Sequence, residues 1–271
     1  MNLGAIKSKY DARDLKLGAV QEPISYPEIY LPDYSNLPKY WQNGLPTCGA
    51  NAGSFFKVIQ EFIESKTAKS FSPRFLWIKI KEIDNNALQV GTDMRSIFKT
   101  LKSIGVCDNN LINNDVSMSL IDYTNSQPIT QNMLDNAQPN IINSYAFVDD
   151  LSFEGIKNAI YRNGVVLLRL LVGRNFFNTT TLTIPAGRLS GHFIVAYGYD
   201  KDWIYFRDST EKDFTKSDKK FGKDYMNWVK EGGTALDLDN DYIRALINKR
   251  ETLQKIVELI RKVLEWLKGR K

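Results

Sequence analysis

Trp41-Gln42-Asn43-Gly44-Leu45-Pro46-Thr47-Cys48-Gly49-Ala50-Asn51-Ala52 is a Gly/Pro-punctuated turn that delivers a cysteine to the head of an apolar, periodic run. Ala52, Phe55, Phe56, Val58, Ile59 and Phe62 continue the run until Ser65-Lys66-Thr67 closes it, so the spacing predicts a central helix that begins at Cys48. A thiol at a helix N-terminus meets the positive end of the macrodipole and several unpaired backbone N–H groups, and both favour the thiolate. The other cysteine, Cys107, follows Gly105-Val106, precedes Asp108 and reads as a small core residue.

A thiol nucleophile needs a base, and the chain has one histidine. His192 lies in Ser190-Gly191-His192-Phe193-Ile194-Val195-Ala196-Tyr197-Gly198-Tyr199, which reads as a strand. A second strand, Trp203 to Arg207, follows across Asp200-Lys201-Asp202. If those three residues form the turn, His192 opposes Thr210 and Asp208 becomes its diagonal neighbour on the same face. A two-residue turn flips the parity and sets Ser209 against His192 instead. Gln42, six residues before Cys48, adds an amide whose N–H groups suit an oxyanion, a contribution of about 3 kcal/mol per donor.

Working outward, residues 1–47 are broken by Pro23, Pro27, Pro32, Pro38 and Pro46 and read as an extended strap. Two more helices are predicted after the central one, opened by Ser72-Pro73 and by Thr92-Asp93. The Asn-rich stretch 108–145 reads as a long connection, after which a helix from Phe153, closed by Gly164, leads into a buried strand from Val165 to Val172. The expected organisation is the strap, a helical lobe at 48–130 carrying the nucleophile, a β-rich lobe at 131–240 carrying the histidine, and a basic amphipathic helix at 241–271.

With 271 residues, 43% hydrophobic and 12% aromatic, the chain can bury a large core. Two cysteines give no disulfide framework and fit a reducing compartment. The net charge of +5 is carried by residues 241–271, where nine Lys/Arg face four Asp/Glu, so no basic face for nucleic acid is expected on the body. Neither a signal peptide nor a membrane-spanning run is evident, which points to a cytoplasmic or virion/host-cytoplasmic location. No metal or cofactor is implied.

Together these residues resemble the papain-like cysteine peptidases. Gln42 to Cys48 matches that family's oxyanion glutamine and nucleophile, Gly191-His192 with Ala196-Tyr197-Gly198-Tyr199 looks like its histidine strand, and Asp208-Ser209 sits where its Asn-Ser lies. Phe221-Gly222-Lys223-Asp224-Tyr225 is similar to a degenerate form of its Trp-Gly…Gly-Tyr segment. The likeness spans roughly residues 10–235, and Tyr10-Asp11-Ala12-Arg13-Asp14 is closer to the microbial and viral branch. It implies an α+β, two-lobe fold with a peptide or protein substrate in the cleft, a Cys48-His192-Asp208 triad with Gln42, and Gly91-Thr92 as the segment pairing with substrate backbone.

Three departures stand out. Gly49 and Thr210 replace family tryptophans, and Asp208 replaces the usual asparagine. An aspartate orients imidazole more strongly than an amide does, but without its tryptophan cover the pair is expected to be open to solvent. Two other readings therefore stay beside thiol peptidase: a weak or inactive module used for binding or assembly, and acyl transfer or amide hydrolysis on a non-protein substrate such as cell-wall peptide. For the C-terminal helix, packing on the body, self-association and attachment to an anionic membrane all remain open.

Overall fold

The central helix begins where the turn at Gly44-Leu45-Pro46 places it. In this computed structural model, which describes residues 3–20, 24–84 and 90–236, the chain opens with β1 (Ala5–Ile6) and a single helical turn, α1 (Leu17–Val20). α2 (Cys48–Ser65), α3 (Pro73–Asp84), the short β2 (Thr92–Asp93) and α4 (Met94–Ser103) follow. Then come α5 (Leu120–Thr124), α6 (Gln131–Ala137), β3 (Tyr145–Phe147) and α7 (Phe153–Asn163). The chain continues through β4 (Val166–Val172), β5 (Ser190–Tyr199), β6 (Trp203–Arg207), β7 (Asp218–Gly222) and β8 (Val229–Ala235).

Helix ends follow the local chemistry. Asp93 caps α4 by accepting from Ser96 N–H, Ser152 caps α7 through Gly155 N–H, and Gly164 closes α7 in the left-handed region. The stretch 108–145, expected to be a connection, contains α5 and α6. Those helices are too short to show a periodic stripe, yet each opens on a hydroxyl cap, Ser119 to Asp122 N–H and Thr130 to Met133 N–H.

β3, β8, β4, β5, β6 and β7 form one sheet in that order, every neighbouring pair antiparallel. Both of its faces are buried, and the two-residue period of the strands sorts them. Val165, Leu167, Phe193, Val195 and Tyr197 join a core with α2, α3 and α4. Val166, Leu168, Leu170, Ile194, Ala196, Phe206 and Phe221 join a second core with Ile156 and Ile160 of α7. The architecture is α+β, as the pattern predicts. Met1–Leu236 is one compact unit and Asp237–Lys271 another, and the basic helix expected at 241–271 lies outside the described residues.

The β5–β6 hairpin resolves the register in a way neither simple turn anticipates. Asp200 N–H donates to Trp203 O, so the turn holds two residues, and Tyr199 faces Ile204. Continued unbroken, that register would put Glu211 opposite His192 and Asp208 on the other face. A bulge between Ala196 and Gly198 shifts the pairing so that Ala196 faces Phe206 and Val195 faces Arg207. The shift returns Asp208 to the face of His192.

Candidate active site

Cys48 is the first residue of α2 and is fully buried. Its sulfur accepts from the backbone N–H groups of Gly49 and of Phe193, the residue after His192. The histidine strand therefore lies directly against the head of the helix. Gly49 is required there, because a Cβ would stand 2.5 Å from Thr92 Cγ2 and 3.0 Å from Ile97 Cδ1. Thr92 and Ile97 crowd the position beside the thiol where the family carries a tryptophan.

His192 Nε2 and Asp208 Oδ1 are 2.7 Å apart, and both side chains are fully buried. Asp208 Oδ1 also accepts from Thr210 N–H at 3.1 Å, and Oδ2 accepts from the Thr210 hydroxyl. Burial by itself pushes the Asp208 carboxyl up, but the His192 hydrogen bond and charge, the Lys219 charge and the Thr210 hydroxyl outweigh it and hold the group below the usual carboxylate range. An ionised carboxylate only accepts, so this pairing assigns the Nε2–H tautomer. Nδ1 is then the ring nitrogen with a free lone pair, and it is buried without a hydrogen-bond partner among the described residues.

The expectation that losing the tryptophan would expose this pair is overturned. Phe176, from the helical turn Arg174–Phe176, meets the His192 ring edge-on with centroids 5.1 Å apart. Shielding comes from a different segment than the family pattern suggests. Nor is the thiolate favoured as the helix terminus alone predicts. Burial pushes the Cys48 thiol up to about 12, aided by the Asp208 charge and only partly offset by the two backbone N–H groups and Arg169.

Gln42 is buried beside Asp208's neighbour. Its Oε1 accepts from the Ser209 hydroxyl at 2.8 Å, its backbone N–H donates to Ser209 O at 2.9 Å, and Nε2 donates to Leu45 O at 2.7 Å. One of the two Nε2 hydrogens is left for a ligand.

The N-terminal strap crosses this site. Leu3 N–H donates to Ser190 Oγ at 3.2 Å, Ala5 O accepts from Arg169 Nε at 3.3 Å, and Ser8 N–H donates to Glu231 Oε1 at 3.0 Å. On the helical side β1 pairs in parallel with β2, and Thr92 N–H donates to Gly4 O at 2.8 Å. The passage is narrow. A Cβ on Gly91 would stand 2.3 Å from Gly4 O, and one on Gly191 would stand 2.1 Å from Ala5 O. Gly91 and Thr92 thus already hold an extended backbone, and it belongs to this chain.

Sequence reading missed Phe176, Lys219, Glu211 and Arg169. The signal for Lys219 was present but faint, since in Asp218-Lys219-Lys220-Phe221 the period of two puts Lys219 on the same face as the core residue Phe221. Among the described residues, no cluster of His, Cys, Asp and Glu could hold a metal ion, and no helix is long and apolar enough to cross a membrane.

No family model matches the chain, and no curated protein matches it in sequence. Solved structures do match. Xylellain, a cysteine protease from Xylella fastidiosa, superposes with a TM-score of 0.72 at 18% identity, over 86% of this chain and 95% of that one. Procathepsin B S9 from Trypanosoma congolense gives 0.63 at 12%, over 86% and 85%. Bromelain from Ananas comosus, solved with the inhibitor E64, gives 0.62 at 15%, over 78% and 100%. At these identities the likeness establishes the fold, which is that of the papain-like cysteine proteases.

Proposed function

We propose that this chain is a thiol peptidase acting through Cys48, His192 and Asp208, with Gln42 as an oxyanion donor. One observation carries the reading: the Asp208 bond fixes Nε2–H and leaves His192 Nδ1 unpartnered, while the next residue, Phe193, turns its backbone N–H to the Cys48 sulfur at the head of α2. Once the strap leaves the cleft, water reaches the thiol, the burial that raises it falls away, and Nδ1 takes its proton. The Cys48 sulfur then attacks the scissile carbonyl, and the Cys48 N–H and the remaining Gln42 Nε2 hydrogen receive the oxyanion. His192 returns the proton to the leaving amine. Water next attacks the thioester with His192 as base and frees the acid product.

Gly91 and Thr92 would take the substrate backbone that the strap now occupies. The shared fold with cysteine proteases supports this chemistry without fixing the substrate. Incubation with a cysteine-directed epoxide under reducing, mildly acidic conditions, followed by intact mass and peptide mapping, should add one warhead at Cys48. No adduct on protein freed of the strap would sink the proposal.

A further inference from the structure

Asp208 presents a charge where the resembled family has a neutral amide, and a buried carboxylate needs compensation. Behind it, Lys219 Nζ lies 3.1 Å from Asp208 Oδ2, with both side chains fully buried. The same ammonium donates to Glu211 Oε1 at 2.8 Å and to Phe176 O at 3.0 Å, so its three donors meet three oxygens. It also lies 4.2 Å from the centroid of the Phe176 ring, the ring that packs on His192. The register explains the placement: Phe206 pairs with Lys219 across β6 and β7, which sets Lys219 diagonal to Asp208 on one face.

We propose that Lys219 is a positioning residue of the site, holding Asp208 ionised with Oδ1 turned to His192 and offsetting its charge so that the pair acts on the imidazole almost as a neutral acceptor. The catalytic consequence rests on the thiol-peptidase reading, whereas the electrostatic relationship does not. If Asp208 were protonated it could donate to Nε2, and the proton would move to Nδ1, the nitrogen that must stay free. If Asp208 were ionised with no cation behind it, two carboxylates, Asp208 and Glu211, would favour the imidazolium.

Among the described residues, the charged and titratable groups at this site are Asp208 after β6, bonded to His192, and Cys48 from α2, whose thiol feels Arg169 of β4, itself paired with Glu231 of β8. Lys219 of β7 and Glu211 stand behind Asp208. These last two can be altered with Cys48, His192 and Asp208 themselves left unsubstituted.

With a single histidine in the chain, ¹⁵N-histidine labelling of the full-length protein gives one pair of imidazole nitrogen resonances, which report both tautomer and titration. Lys219→Met should move the His192 midpoint up by roughly one pH unit, a tenfold change in proton affinity, and mix the Nε2–H tautomer with the other. Glu211→Gln, which leaves the lysine charge to Asp208 alone, should move the midpoint down. Opposite shifts are the signature of charge compensation. If Lys219 only fills space, thermal unfolding falls while tautomer and midpoint stay put, and that result, or shifts of the same sign, overturns the proposal. Should Lys219→Met fail to fold, Glu211→Gln decides alone. Because the readout needs neither substrate nor thiol labelling, a protein without peptidase activity would defeat the functional reading and leave this test intact.

Discussion

The backbone N–H of Thr92 donates to the carbonyl of Gly4 at 2.8 Å, within a parallel pairing that lays Ala5–Ile6 along Thr92–Asp93. Across the cleft, Leu3, Ala5 and Ser8 are tied to Ser190, Arg169 and Glu231. Residues 3–8 therefore bridge the two sides of the candidate site.

Deleting residues 1–8 should speed alkylation of Cys48 by iodoacetamide at neutral pH by about a hundredfold, as the thiol drops from about 12 towards the ordinary range. Peptide mapping separates Cys48 from Cys107, which is also buried. An unchanged rate would show that the strap is not what covers the thiol.

Asp208→Ala should lower kcat/KM by roughly three orders of magnitude, mostly in kcat, because the imidazole loses its tautomer and its orientation together. Asp208 also makes stability depend on pH. Its folded carboxyl lies below the unfolded value of about 3.9, so its stabilisation is present above about pH 4 and is lost as pH falls further. Urea midpoints of the wild type and Asp208→Asn should accordingly converge on acidification, and a constant gap would contradict this.

Arg207 joins the sheet to the strap. Its guanidinium donates to Asp218 at 2.7 and 3.0 Å and to Tyr34 O at 3.0 Å, and it lies 4.4 Å from the Phe55 ring centroid. Arg207→Ala should cost about 3 kcal/mol in urea unfolding, and Arg207→Lys should recover only part because an ammonium cannot reproduce the fork.

Gly49→Ala would gain up to about 1 kcal/mol at an open helical site. Here the contact with Thr92 Cγ2 should reverse the sign and cost roughly 1–3 kcal/mol. Adding Thr92→Ser, which removes that methyl group, should restore much of the loss. Thermal unfolding of the double-mutant cycle reads the coupling.

Much of the fold was legible because it is written in local patterns. The apolar run after Cys48, the helix opening at Thr92-Asp93, the closing Gly164, and the strand-like run through β5 each carry their own signal over adjacent residues. β8 carried no such signal, since Val229-Lys230-Glu231-Gly232-Gly233 lacks strand-like alternation and forms through pairing with β3 and β4. α5 and α6 hid for a related reason, being shorter than the period that reveals a helix.

By itself the sequence determined the helix that starts at Cys48, the strand that bears His192, and the candidates Asp208 and Gln42, since spacing and residue type suffice for these. Tertiary structure decided how the candidates meet. A bulge near Tyr197 restored the face that a two-residue turn would have lost, Phe176 arrived from another segment to pack on His192 and Lys219 to pair with Asp208, and burial raised the thiol enough to outweigh the helix terminus. Register, burial and charge compensation depend on residues far apart in the chain, and only the folded backbone sets those distances.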